Sequence, residues 1–176
     1  TVDAGILVRT SLGDLVWDDV NGNGIQDGTE SGVPNVTVTL YNDLGVQVDD
    51  PNTVAVDTYV IQTDASGKYT FVNLVPDDYY VVFTLPSGYI FTVKDAATAT
   101  DATDCDATRL GANQGRTALT TLVSGEVDLT WDAGILKPAA LGNFVWVDTN
   151  DNGVQDGGET GLSGVTAHLL DGSGNV

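Results

Sequence analysis

The block LGDLVWDDVNGNGIQDGTESGVPNVTVTL at residues 12–40 returns at 141–169 as LGNFVWVDTNDNGVQDGGETGLSGVTAHL. A second segment, TVDAGIL at 1–7, returns as TWDAGIL at 130–136. Asp3 corresponds to Asp132 and Trp17 to Trp146; 132 − 3 and 146 − 17 both give 129. Two blocks displaced by one interval leave no room for an insertion between them, so the chain is a tandem array with a period of 129 residues. The expected organisation is a terminal strand of a preceding repeat at 1–8, a complete repeat at 9–137, and the incomplete start of a next repeat at 138–176. The joints VRTS at 8–11 and KPAA at 137–140 are short, which favours a semi-rigid rod.

Inside the complete repeat the apolar period is two. Leu15 to Trp17 predicts a short first strand, and Val36, Val38 and Leu40 alternate with Thr37, Thr39 and Tyr41 to predict a second. Residues 53–63 alternate less cleanly. Asp64-Ala65-Ser66-Gly67 reads as a turn before a strand that starts at 68–72. Tyr79, Val81, Phe83 and Leu85 share one face of a strand ending at Pro86-Ser87-Gly88, and further strands are expected near 89–93, 117–122 and 127–135. Seven or eight short strands without a helical period predict an all-β, antiparallel β-sandwich. Trp17 is the expected core anchor, with Trp131 beside it or at the module edge; the alternative is a pair of partly exposed binding aromatics.

Twenty-five acidic residues against six basic ones give a net charge of −19. This excludes a nucleic-acid or anionic-membrane surface and leaves a solvated or cation-binding one. The acids are spaced. In DVNGNGIQDGTE, Asp19, Asn21 and Asn23 take loop positions 1, 3 and 5. Gly24 follows at the sharp bend, the Ile25 carbonyl at position 7, Asp27 at 9 and Glu30 at 12. A hard cation needs about seven oxygens, so the chain must wrap and present alternate side chains inward; this is the EF-hand calcium spacing. DTNDNGVQDGGE repeats it with Asp148, Asn150, Asn152, the Val154 carbonyl, Asp156 and Glu159; the alternative for the two loops is a pair of Asx-turns in a polar segment. Strand-like flanks, with Pro34 and β-branched alternation after Glu30, argue against a helical sensor and against a dockerin. Asp101, Asp104 and Asp106 form a second acidic cluster, either a further calcium site helped by Asp95 or another loop, or a set of solvated acids.

Cys105 is the single cysteine, so no internal disulfide exists; it reads as a spare loop thiol or an intermolecular bridge. His168 is the single histidine, and no nucleophile–base pair or phosphate-binding glycine loop is present. The carboxylate spacing suits coordination better than acid–base work, so no enzyme is expected. No apolar run is long enough to cross a membrane as a helix.

At LGDLVWDDVNGNGIQDGTESGVPNVTVTL, TDASGKYTFVNLVPDDYYVVFTLPSGY, the DCD element at 104–106 and LVSGEVDLTWDAGIL, the chain resembles the SdrD B-like domain family, the B-type repeats of serine-aspartate repeat surface proteins. The resemblance covers residues 12–136. It implies an extracellular or cell-surface, calcium-binding β-sandwich similar to collagen-adhesin B-type repeats, arrayed in tandem as a spacer, stalk or surface filament. It carries Asp19, Asn21, Asn23, Ile25, Asp27 and Glu30 over as ligands and strengthens Asp101, Asp104 and Asp106. Some related domains hold a Lys–Asn crosslink; Lys68, Lys94 and Lys137 are the only lysines here and none lies in the first strand, so calcium is the expected staple.

The expected partners are therefore neighbouring repeats, with homopolymer formation by strand complementation as a specific version. The alternative is a module that binds a host protein or glycan through Tyr79, Tyr80, Tyr89 or Trp131, which requires those rings to be exposed and coplanar.

Overall fold

The computed structural model describes residues 3–55 and 57–176 and divides into two compact units, Thr1–Pro138 and Ala139–Val176. Among the described residues nine strands lie in the first unit: β1 Thr10–Asp18, β2 Thr37–Asn42, β3 Val60–Gln62, β4 Lys68–Leu74, β5 Asp78–Thr84, β6 Ile90–Phe91, β7 Thr120–Thr121, β8 Val127–Asp128 and β9 Ala133–Leu136. They form two sheets, one ordered β4-β1-β9-β6 with β8 also on β1, the other β3-β2-β5-β7.

Alternation drives the second sheet. Val38 pairs with Phe83 and Leu40 with Val81, and all four side chains are buried toward the first sheet. Trp17 and Phe71 are fully buried opposite them, Trp17 on β1 and Phe71 on β4. Trp17 thus anchors the core, and Trp131 packs half-buried against it with its indole N–H on Asp128. Burying each such side chain contributes roughly 1.5–3 kcal/mol. Among the described residues there is no helix long and apolar enough to cross a membrane.

Three strand expectations change. First, β1 is nine residues long, not three, because Gly13 permits a close approach that a side chain would block: a Cβ there would lie 2.2 Å from the Tyr69 carbonyl oxygen. Second, the single strand expected at 127–135 is two, β8 and β9, and both run parallel to β1. The sandwich is therefore antiparallel-rich, with its first and last strands side by side in parallel. Third, residues 3–9 form no strand, and Ile6 is 98% exposed; Thr1 and Val2 lie outside the described residues. By the repeat offset this segment matches β9, which needs a β1 and a β6 beside it. Val8 instead meets the 124–125 turn, donating to the Ser124 hydroxyl at 2.8 Å.

The second unit has only an isolated bridge, Trp146 to Gly161, with Leu162 N–H donating to the Val145 carbonyl at 2.8 Å. Its Trp146–Gly161 bridge repeats Trp17–Gly32 of the first unit at the same offset. Phe144, Val145, Leu162 and Val165 are exposed.

Candidate metal centres

The loop after β1 is organised by Asp19, which is fully buried. Its Oδ1 accepts the N–H groups of Gly22 at 2.7 Å and Asn23 at 3.2 Å; its Oδ2 accepts Gly24 N–H at 2.8 Å and the Thr92 hydroxyl at 2.5 Å. Gly24 has φ +78°, and a Cβ there would meet the Val93 carbonyl oxygen at 2.5 Å. Only glycine fits this bend. Asn21 and Asn23 each accept the amide two residues on, at 2.9 and 2.8 Å, as Asx-turns do.

The side-chain ends of the loop converge. Asn21 and Asn23 both donate to Asp27 Oδ2, at 2.8 and 3.1 Å. Glu30 closes the ring from the far end, accepting Val20 N–H at 2.8 Å on Oε1 and Asp27 N–H at 3.1 Å on Oε2. A half-turn of either carboxamide would present its oxygen towards Asp27 in place of its nitrogen, at the cost of the Asx-turn that oxygen now makes. Asp19, Asn21, Asn23, Asp27 and Glu30 are hard oxygen donors of the kind calcium takes. Ile25 forms an isolated bridge with Asp104.

The loop in the second unit has the same wiring. Gly153 N–H donates to Asp148 at 2.8 Å, Asn150 and Asn152 donate to Asp156 at 2.9 and 2.8 Å, and Glu159 accepts from Thr149 and Asp156. Val154 donates to Asn152 Oδ1 at 2.7 Å. The Gly153 amide holds the Asp148 carboxyl below its usual range, the Asn150 side chain does so for Asp156, and the Asp156 amide for Glu159. Hydrogen bonds to the charged form thus extend its range further into acid for all three.

Asp101, Asp104 and Asp106 each offer one oxygen within 4.8 Å of the others. They adjoin the first loop: Gln26 N–H donates to the Thr103 carbonyl at 2.8 Å, beside the Ile25–Asp104 bridge. Among the described residues, Asp104 Oδ1 is buried without a partner. Burial pushes the Asp104 carboxyl up and that of Asp106 to about 7. A cation would relieve that cost, so the donor set fits calcium here too. Asp95 pairs with Lys94 at 2.8 Å and touches this region through its N–H on the Cys105 carbonyl.

Two contributors escape a motif search. Thr92, from the segment after β6, anchors Asp19. Asp132 accepts Leu15 N–H at 3.0 Å and donates its own N–H to Asp106 Oδ2 at 2.7 Å. The available signal was its recurrence as Asp3 in the repeated DAGIL segment. Cys105 lies in the loop segment between β6 and β7 but is not an accessible thiol: it is buried in the core, and burial pushes its thiol up to about 12.

The chain matches the SdrD B-like domain family over residues 10–135 and again over 139–176. It belongs to that family. Serine-aspartate repeat-containing protein D of Staphylococcus aureus (strain Newman) is 40% identical over 179 residues, covering all of this chain and 12% of that protein. Serine-aspartate repeat-containing protein F of Staphylococcus epidermidis (strain ATCC 12228 / FDA PCI 1200) is 38% identical over 179 residues, covering all of this chain and 10% of that protein. The SdrD B-like chain therefore spans about a tenth of the length of these relatives. A solved minor pilin of Streptococcus agalactiae is similar in structure, with a TM-score of 0.49 and 18% identity over 78% of this chain and 48% of that one. The SdrD B-like family is structural and non-catalytic, and this chain is a repeat of that class.

The aromatic face required by the glycan alternative is absent among the described residues. Tyr79 and Tyr80 are 5% and 6% exposed, Tyr89 lies under the Lys137 ammonium, and Trp131 is half-buried.

Proposed function

We propose that the chain is a calcium-stabilised structural spacer of an extracellular or cell-surface protein, carrying load between neighbouring repeats. The supporting observation is the parallel pairing of β1 with β9, Val16 opposite Ala133 and Asp18 opposite Ile135. The repeat is entered at the start of β1 and left at the end of β9. Tension along an array pulls these strands in opposite directions along one ladder, so its hydrogen bonds resist together rather than in succession. Asp19 follows directly on β1, and its N–H extends the ladder to the Ile135 carbonyl at 2.9 Å. Calcium held by Asp19, Asn21, Asn23, Asp27, Glu30 and the Ile25 carbonyl would fix the loop to the end of that ladder. A further ion on Asp101, Asp104 and Asp106 would tie the adjoining 101–106 segment to it, and bound charge would offset the repulsion within a −19 chain.

The test is thermal unfolding with calcium titrated back after chelation. A site a hundredfold above its Kd adds about 2.7 kcal/mol. The melting temperature should rise, and the rise should shrink in Asp19→Ala and Glu30→Gln. An unchanged Tm from micromolar to millimolar calcium sinks the metal reading. Single-molecule extension tests the load-bearing part: cooperative unfolding at low force, with or without calcium, would sink that one.

A further inference from the structure

The acids of this chain are segregated. Residues 79–94 and 107–125 contain no Asp or Glu, and the second run carries two of the three arginines, Arg109 and Arg116. These runs meet on the outer face of the β3-β2-β5-β7 sheet, where Arg116 bridges to Val82. The acidic loops and this patch share no residue.

The patch has a built centre. Tyr41 and Tyr80 pair across β2 and β5 and stack with ring centroids 5.2 Å apart and planes within 5°. The Arg116 guanidinium covers the ring of Tyr80, 3.8 Å from its centroid. Tyr80 sits on the solvent side of the sheet yet is only 6% exposed. Stacking fixes the guanidinium plane and leaves its edge free for a second partner. Among the described residues that edge has no ion pair and no hydrogen bond, in a chain with 25 carboxylates. A groove of about 220 Å³ lies there, lined by Tyr41, Tyr80, Val82, Asn113, Gln114 and Arg116, with no acid in its walls. Exposed leucines stand on the two loops that border it: Leu44, 79% exposed, in the turn whose Gly45 approaches the Tyr80 hydroxyl, and Leu110, 73% exposed, in the turn that supplies Asn113 and Gln114.

We propose that this groove is a recognition site for an extended acidic peptide of a partner protein, one in which carboxylates alternate with apolar side chains. A planar guanidinium held by stacking pairs with a carboxylate through two parallel hydrogen bonds. The flanking leucines receive the apolar side chains, which a polyuronate or a phosphate polymer does not bring. Charge complementarity selects the ligand at the groove itself, whose lining holds an arginine and no acid; Asp43, beside Leu44, and Asp78, two residues before Tyr80, are not part of that lining.

The test is an NMR titration of the full calcium-loaded chain, reading the Arg116 Nε–Hε resonance and, in every variant, the backbone amides of Asn113 and Gln114 in the groove. The probes are a short blocked peptide of alternating Leu and Glu, its Leu/Gln counterpart, and polygalacturonate. Saturable shifts at Arg116 with the Glu peptide, roughly tenfold or more weaker with the Gln peptide and in Arg116→Gln, are expected for loss of a charge-assisted hydrogen bond. Arg116→Lys should bind weakly as well, because an ammonium lacks the planar fork. Leu110→Ser, at an exposed position, should weaken the Glu peptide without changing Tm, which separates binding from folding. No saturable shift at Arg116, an equal response to the Gln peptide, tighter binding of polygalacturonate, or self-association of the chain through Arg116 would each overturn the proposal.

Discussion

Asp132 Oδ1 accepts the backbone N–H of Leu15 at 3.0 Å, across 117 residues of chain. The contact falls where the returning chain leaves β8 and has not yet begun β9, so a side chain fills a gap in the parallel pairing with β1. Asp132 Oδ2 is buried with no partner among the described residues, and the Asp132 N–H reaches Asp106. One residue thus joins the first strand, the last strand and the acidic cluster.

Asp132→Ala should therefore leave the buried Leu15 N–H without an acceptor and destabilise the repeat by roughly 1–3 kcal/mol. Asp132→Asn keeps an acceptor at the same place and removes a buried carboxyl, so it should be near neutral or stabilising. Denaturant unfolding in chelator at neutral pH separates the two. Equal stability of the Ala variant and the parent would remove the bridging role.

The same carboxyl gives a pH dependence with a defined sign. Burial raises Asp132 to about 9 and Asp106 to about 7 in the folded chain, whereas an unfolded Asp titrates near 4. The folded state therefore holds more protons than the unfolded state across this window. The contribution is fully present below about pH 4 and is lost as pH rises, through about 7 for Asp106 and about 9 for Asp132. Metal-free protein should melt at falling temperatures over that range, about 2–4 °C for each kcal/mol lost in a chain of this size. Asp132→Asn should flatten the slope. A flat or rising profile in the parent would contradict the burial of these groups.

The alternating positions of β2 and β5 were legible because period two and a buried face leave one solution, and Trp17 was legible as the largest apolar side chain of the repeated block. Within each acidic loop the contacts span at most ten residues, which is why a local spacing can single those residues out; the Thr92 hydroxyl on Asp19 comes from 73 residues away and leaves no such trace. Three features were not legible. Gly13 and Asp14 disfavour strands locally, and only the approach of Tyr69 explains why β1 continues through them. The break between β8 and β9 depends on a partner more than a hundred residues away and has no turn signature. Tyr80, at an outward position of an alternating strand, is buried by Tyr41 and Arg116, which no period reveals.

Cys105 offers a chemical check on the packing around the cluster. Its Sγ lies 3.8 Å from the Gly134 carbonyl and 3.9 Å from that of Ala107. A buried thiol raised to about 12 has almost no thiolate at neutral pH, and the thiolate is the nucleophile. Native protein should resist alkylation at pH 8 and react fully in denaturant. Rapid labelling of the native chain would place the 104–106 segment outside the core.

Gly24→Ala tests whether the bend of the first loop is required by the fold or by the cation. Its φ of +78° disfavours any side chain, and the Cβ would stand 2.5 Å from the Val93 carbonyl oxygen. Left-handed strain alone costs of order 1–3 kcal/mol. The clash would push the loop away from Val93 and Thr92, so that the Thr92 hydroxyl loses its bond to Asp19. The variant should melt lower than the parent in chelator and also recover less stability on adding calcium, because Asp19 would be displaced from the other ligands. Gly157→Ala is the control, at a loop position with nothing within 4 Å of the added carbon. A Gly24→Ala chain that loses stability in chelator yet gains as much from calcium as the parent would place the glycine requirement in the packing against Val93 and free the metal site from it.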